Sequence, residues 1–264
     1  MVSAAKLRRA QSRMTSARPY SQKMQGLLAQ MVRLIEGYPH PAFKPREKVQ
    51  KAEFFILTSD RGLCGGFNGN LLRRVETFMR EKRTTCEEIK ISVAGRKGRE
   101  FFRARRRELD QFLTGLPEAF PFEEALKMAQ ELIAGYQEGK FDEYYLVYNY
   151  FQSALSQEVR IQKLLPLEVP PAEKVGNYTP EYLYEPTRDK LLEALVPRAL
   201  ATMIRQAFLE SVAGEYGARM VAMDNATRNS SEMIFDLTLQ MNRLRQAAIT
   251  RELMDIVNGA ESLK

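Results

Sequence analysis

The sequence predicts an α/β protein with long helices, in which an antiparallel coiled coil of the two terminal segments carries a small α/β domain with a mainly parallel sheet. Three observations carry that reading. Apolar residues repeat with heptad spacing near the C-terminus, the same spacing returns near the N-terminus, and strand-like and helix-like segments alternate between them. At 264 residues the chain is long enough for one or two domains with a sizeable core.

From Thr187 to Asn258 the only proline is Pro197 and the only glycines are Gly214 and Gly217. One seam holds a four-three alternation through Leu209, Ala213, Tyr216, Met220, Met223, Thr227, Ser230, Ile234, Leu237, Met241, Leu244 and Ala248. Its only polar members with neither bulk nor a ring, Thr227 and Ser230, are small. This is the pattern of a helix that buries a narrow stripe against another helix in a left-handed supercoil. At about 1.5 Å per residue the helix would run for roughly 100 Å, far beyond what a globular domain of this size needs. Leu7, Ala10, Met14, Ala17, Ser21, Met24, Leu28, Met31 and Ile35 repeat the alternation at the other end of the chain. An antiparallel two-stranded pair is the simplest use of two such segments; an ordinary helix bundle is the alternative.

Pro39, Pro41 and Pro45 end the first helix and mark a boundary. The chain then divides into an N-terminal helix (1–38), an α/β domain (46–166), a proline-rich connection (167–186) and a C-terminal helix (187–264). Within the α/β domain, strands are expected at Phe54–Thr58, Ile89–Val93, Leu109–Leu113, Glu143–Phe151 and Glu158–Leu165. Helices are expected at Leu71–Glu81, Gly98–Arg105 and Phe122–Tyr136. The last two strands lie close enough to form an antiparallel pair, and the remaining alternation makes the domain Rossmann-like.

The net charge of +7 is concentrated. Lys6, Arg8, Arg9, Arg13, Arg18, Lys23 and Arg33 meet no acid before residue 36, whereas basic and acidic residues cancel from Thr187 onward. A solvated helix face, an Arg-rich transit peptide and a cationic helix set against an acidic partner all fit that bias. Nucleic acid is one such partner, although Tyr20 is the only aromatic before Tyr38 and base-stacking surfaces need several. No run of 18 apolar residues exists to span a bilayer, and no secretory apolar region is present. Cys64 and Cys86 do not suggest a disulfide framework, and a reducing compartment suits them. His40, the lone histidine, has no ligand cluster around it, so no metal site is expected.

After the first strand comes Ser59-Asp60-Arg61-Gly62-Leu63-Cys64-Gly65-Gly66-Phe67-Asn68-Gly69-Asn70. A strand, glycines and a helix start can cradle phosphates, but the glycine spacing is neither G-x-G-x-x-G nor a P-loop. Two other uses are open: a tight strand-to-helix turn with Asn68 or Asn70 capping the helix, and a protein-contact loop displaying Arg61 and Cys64. One histidine provides no Ser-His-Asp set, and no spacing brings His40 to a cysteine. No catalytic residue and no cofactor are expected.

Ile249-Thr250-Arg251-Glu252-Leu253-Met254-Asp255-Ile256-Val257-Asn258-Gly259-Ala260 resembles the C-terminal signature of the gamma subunits of F-type ATP synthases. The Ser59–Asn68 loop resembles the loop after that family's first central strand. Met1-Val2-Ser3-Ala4-Ala5-Lys6, Met223–Asn229 and Asn242–Ala247 are also similar, in order, along the whole chain. The resemblance implies a rotor shaft standing inside a ring of alpha and beta subunits. Its α/β domain would sit against the epsilon subunit and the membrane-embedded c-ring. It further implies a non-catalytic subunit of the proton-transporting complex, peripheral to the cytoplasmic side of the cell inner membrane. Arg245 and Gln246 match the pair that contacts an acidic loop of beta, and Arg61 and Cys64 lie in the loop that faces beta near the base of the shaft. Family members begin upstream of the Met-Val-Ser-Ala-Ala-Lys match. The expectation is that the chain start is placed late and that Leu244 to Val257 lack part of their helical partner. The Cys-bearing insertion of light-regulated chloroplast versions is not seen, which implies a bacterial version.

Overall fold

The computed structural model describes residues 2–33, 40–168, 185 and 187–261. The elements are α1 (Val2–Arg33), β1 (Lys51–Leu57), α2 (Phe67–Lys82), β2 (Glu88–Ala94), α3 (Arg96–Ala104), β3 (Gln111–Leu113), α4 (Phe122–Gln137), β4 (Glu143–Phe151), β5 (Gln157–Leu165) and α5 (Arg188–Glu261). Ile35, the last member of the first seam, and most of the proline-rich connection lie outside the described residues. The described chain divides into two units, Met1–Val221 and Ala222–Lys264, with the division inside α5.

In the first unit the sheet order is β3-β2-β1-β4-β5. Strands β1 to β4 are parallel, and β5 closes one edge antiparallel to β4, as the short Gln152–Ser156 turn requires. The central strands are apolar on both faces because helices cover both faces. Successive side chains of β1 alternate between them. Phe54 and Ile56 join Val93, Tyr145 and Val147 under α2 and α3, where Phe54 stacks on Tyr145 at 5.1 Å between ring centroids. Phe55 and Leu57 point the other way, to Leu146, Tyr148 and the residues of α1, α4 and α5. There Phe120 stacks on Phe208 of α5 at 4.1 Å. Each fully buried Leu or Phe of these layers contributes about 1.5–3 kcal/mol.

The N-terminal seam is buried along its described length, with Ala17 half-buried. Leu7, Ala10 and Met14 share one apolar cluster with Leu209, Val212 and Ala213 of α5, while Met24, Leu28 and Met31 share another with Leu192, Val196 and Leu200. That order makes α1 and α5 antiparallel. Both clusters also contain residues of the α/β domain, Phe151 among them, so the helices pack on the sheet as well as on each other. Gly217 permits this: a Cβ there would lie 3.1 Å from the Cα of Ala154 in the β4–β5 turn.

The strands and helices of the domain lie where the sequence places them, with shifted ends. The largest shift is at α2, which begins at Phe67, four residues before the expected Leu71. Its N-cap is Gly66 and makes no side-chain cap bond, so neither Asn68 nor Asn70 caps the helix.

Candidate partner-contact sites

The β1–α2 loop is held from three sides. Thr58, fully buried at the end of β1, donates through Oγ1 to the Ala94 carbonyl at 2.8 Å and accepts the Gly98 N–H at 3.0 Å. It thereby joins β1 to the β2–α3 turn. Gly95 in that turn has φ +96, and a Cβ there would lie 2.1 Å from the Thr58 carbonyl oxygen. Asp60 accepts the backbone N–H of Arg96, the first residue of α3, at 2.9 Å. A carboxylate is favoured at a helix N-terminus.

Beneath the loop, the Asn68 side chain does what a turn of backbone would do. Its Oδ1 accepts the Ser59 N–H at 3.0 Å, and its Nδ2 donates to Ser59 Oγ at 2.7 Å and to Cys64 Sγ at 3.3 Å. Ser59 Oγ donates to the Arg61 carbonyl at 2.8 Å. From α5, Arg219 donates to the carbonyls of Arg61 and Gly62 at 3.3 and 3.5 Å and is itself fixed by Glu215 at 2.7 Å. Burial pushes the Glu215 carboxyl above its usual range, with Arg219 opposing the shift.

Only part of the expected pair is therefore on display. Arg61 is exposed, whereas Cys64 is buried at 2% exposure. Burial pushes its thiol up, against the hydrogen bond from Ser59. The cysteine packs inside the loop because the loop closes over it through Asn68 and Ser59. The exposed companion of Arg61 is Leu63, at 73% exposure and held at φ 62, a region bulky side chains rarely occupy. Sequence reasoning passed over Leu63, and the glycines around it were the available signal of an unusual turn.

The second unit is helical to Glu261, and its side chains are exposed with few exceptions. Ile234, Leu237, Met241 and Leu244 of the heptad seam are 65%, 57%, 58% and 72% exposed. The exposed stretch begins at Asp224, twenty residues before the expected Leu244. Arg245 and Gln246 are exposed beside that stripe. Contiguous exposed apolar surface of this kind marks a protein contact.

Three of the seven cations of α1 have partners within the chain. Lys6 pairs with Glu118 at 2.6 Å, Arg13 donates to the Glu118 carbonyl at 2.8 Å, and Arg18 pairs with Glu210 at 2.8 Å. Hydrogen bonds from Lys6 and Tyr216 hold the Glu118 carboxyl below its usual range. Arg8, Arg9 and Lys23 are exposed. Among the described residues no three His, Cys, Asp or Glu side chains gather as a metal site, and no helix is long and apolar enough to cross a membrane.

A helical hairpin that carries a doubly wound α/β domain and leaves an apolar heptad stripe open defines a class of assembly subunit. The protein-family model described as ATP synthase matches residues 1–263. The ATP synthase gamma chains of Geobacter metallireducens and Geotalea daltonii are each 46% identical over 264 residues, covering 100% of this chain and 91% of theirs. The chain belongs to the ATP synthase gamma-chain family. Its fold is similar to the central stalk/c-ring structure of Tetrahymena thermophila mitochondrial ATP synthase, at a TM-score of 0.62 and 24% identity, over 86% of this chain and 96% of that one. A chain in the OSCP/F1/c-ring structure of Euglena gracilis mitochondrial ATP synthase gives 0.61 and 18%, over 99% and 93%.

Proposed function

We propose that this chain is the central rotor shaft of a proton-translocating F-type ATP synthase, coupling c-ring rotation to ATP synthesis or hydrolysis at the beta subunits. The observation that carries the proposal is the exposed heptad stripe from Ile234 to Leu244, with Arg245 and Gln246 beside it. A helix with that stripe needs surrounding chains, and a ring of alpha and beta subunits would cover it. Arg245 would hold a carboxylate of beta bidentately through its planar fork, with Gln246 donating next to it. Arg61 would meet beta from the β1–α2 loop, and Cys64 would serve that contact from below by keeping the loop in shape. The epsilon subunit and the c-ring are the remaining partners, and the shaft would be peripheral to the cytoplasmic side of the inner membrane. It would carry no catalytic residue and no cofactor of its own; its part is to impose its asymmetry on the nucleotide sites of beta.

Co-purification with the alpha and beta subunits, followed by an ATPase assay of the complex, tests the reading. The expected result is assembly with both subunits, turnover in the complex, none in the isolated chain, and reduced turnover in an assembled Arg245→Ala complex. Failure to bind alpha and beta would overturn it.

A further inference from the structure

Two apolar side chains of the first unit stand in water on loops built to hold them there. Leu155 and Leu63 are 81% and 73% exposed, ahead of Tyr20 at 52% among the large apolar side chains described in that unit. Leu155 is at the tip of the β4–β5 turn. Ser153 and Ser156 close that turn by donating backbone N–H groups to each other's carbonyls at 3.0 and 3.3 Å, and the Gln157 side chain donates to the Ser153 and Ala154 carbonyls at 3.0 Å each. Leu63 lies between two tethered neighbours. The Gly62 carbonyl accepts from Arg219 at 3.5 Å, and the Cys64 thiol accepts from Asn68 at 3.3 Å. With φ 62, Leu63 occupies a backbone region that glycine enters freely and a bulky side chain does not.

Both loops hold on to α5. A Cβ at Gly217 would lie 3.1 Å from the Cα of Ala154, the residue before Leu155, while Arg219 reaches the Arg61 and Gly62 carbonyls just before Leu63. Positions 217 and 219 point about 200° apart around a helix, so the two leucines flank α5 at nearly the same height. Arg61, exposed two residues before Leu63, enters no ion pair among the described residues. Exposure and the left-handed φ both count against a leucine in the folded chain alone, and strain kept in a well-tied loop points to a use outside it. Rigid display also lowers the ordering cost of docking. We propose that Leu63 and Leu155 are paired apolar anchors, one on each flank of α5, for an acidic surface of the surrounding ring subunits. On that surface an apolar depression receives a leucine, and a carboxylate beside it meets Arg61. The proposal rests on the shaft reading above and assigns to it two residues outside the contacts already named.

The test uses the whole chain with a ring of alpha and beta subunits fixed to a sensor surface. It reads the affinity of capture beside the melting temperature of the chain alone. Leu63→Gly should melt no lower than the parent, because glycine relieves the φ, and should be captured about tenfold more weakly. Leu155→Gln should melt within about 2 °C of the parent and lose a similar factor in capture. Leu63→Met keeps the apolar bulk and should be captured within about twofold of the parent. Leu113→Gln, at a 41% exposed leucine on β3, the sheet edge opposite β5, is the control and should be captured as the parent is. Parent-like capture of either leucine variant, an equal loss in Leu113→Gln, or a Leu63→Gly chain that melts well below the parent would overturn the anchors and leave the shaft reading standing. Failure of the parent itself to be captured would overturn the shaft reading, and the anchors with it.

Discussion

Arg18 of α1 and Glu210 of α5 meet side by side, with Nε to Oε1 at 2.8 Å and Nη2 to Oε2 at 2.9 Å. Glu210 also accepts the Phe151 N–H at 2.9 Å, and Arg18 donates to the Phe151 carbonyl at 2.7 Å. One ion pair thus joins both long helices to the end of β4. Removing one partner strands the other: Arg18→Met or Glu210→Leu should cost about 3–5 kcal/mol in denaturant unfolding. The double variant should cost clearly less than the two singles combined, since neither charge is then left alone.

Gly95 should tolerate no side chain. Gly95→Ala places a Cβ against the Thr58 carbonyl at a backbone angle alanine disfavours and should lose on the order of 3 kcal/mol. Thr58→Val keeps the shape but leaves the Gly98 N–H without its acceptor, with an expected loss of about 1–3 kcal/mol. Chemical denaturation at fixed pH reads both.

His40 gives the fold an acid-sensitive point. Its Nδ1 accepts the Ala42 N–H at 3.1 Å, and burial pulls its pKa down, with Glu193 opposing. The folded chain therefore binds the proton less well than the unfolded one. The contribution is fully present above the unfolded value of about 6.5 and is lost as pH falls through the depressed folded value. His40→Asn retains an acceptor for Ala42. The stability difference between parent and variant should shrink or reverse between neutral pH and roughly pH 5, measured by unfolding at each pH.

The stripe on the second unit should matter for assembly and hardly at all for folding. Replacing Leu237, Met241 and Leu244 together by Gln should shift stability within about 0.5 kcal/mol per site, because the side chains are exposed. Sedimentation should show less self-association of the isolated variant, and its capture by alpha and beta should fall sharply.

Periodicity made most of the fold legible. The continuous apolar runs of β1 and β4 and the seam from Leu7 to Met31 follow from which residues must leave water, on both faces of a strand or on one stripe of a helix. The loop was less legible because its shape comes from one carboxamide. Asn68 looks like a cap in the sequence, yet its side chain turns back to Ser59 and Cys64, which buries the cysteine and leaves Leu63 outside. The partners of two α1 cations were hidden for a similar reason: Glu118 and Glu210, the acids that answer Lys6 and Arg18, lie far along the chain. Arg61, Arg245 and Gln246 are exposed, and the beta contacts proposed for them depend on chains whose sequences are not this one.

The central claim is that this chain turns inside the catalytic head. Cys64 and Cys86 are buried, so a Glu131→Cys variant offers an exposed thiol on α4 for a visible probe. Its complex with alpha and beta subunits would be fixed to a surface by the beta subunits and watched under ATP. Unidirectional rotation that stops when ATP is withdrawn, and slows in Arg245→Ala, is the expected result. A probe that stays still while the same complex hydrolyses ATP would contradict the shaft assignment.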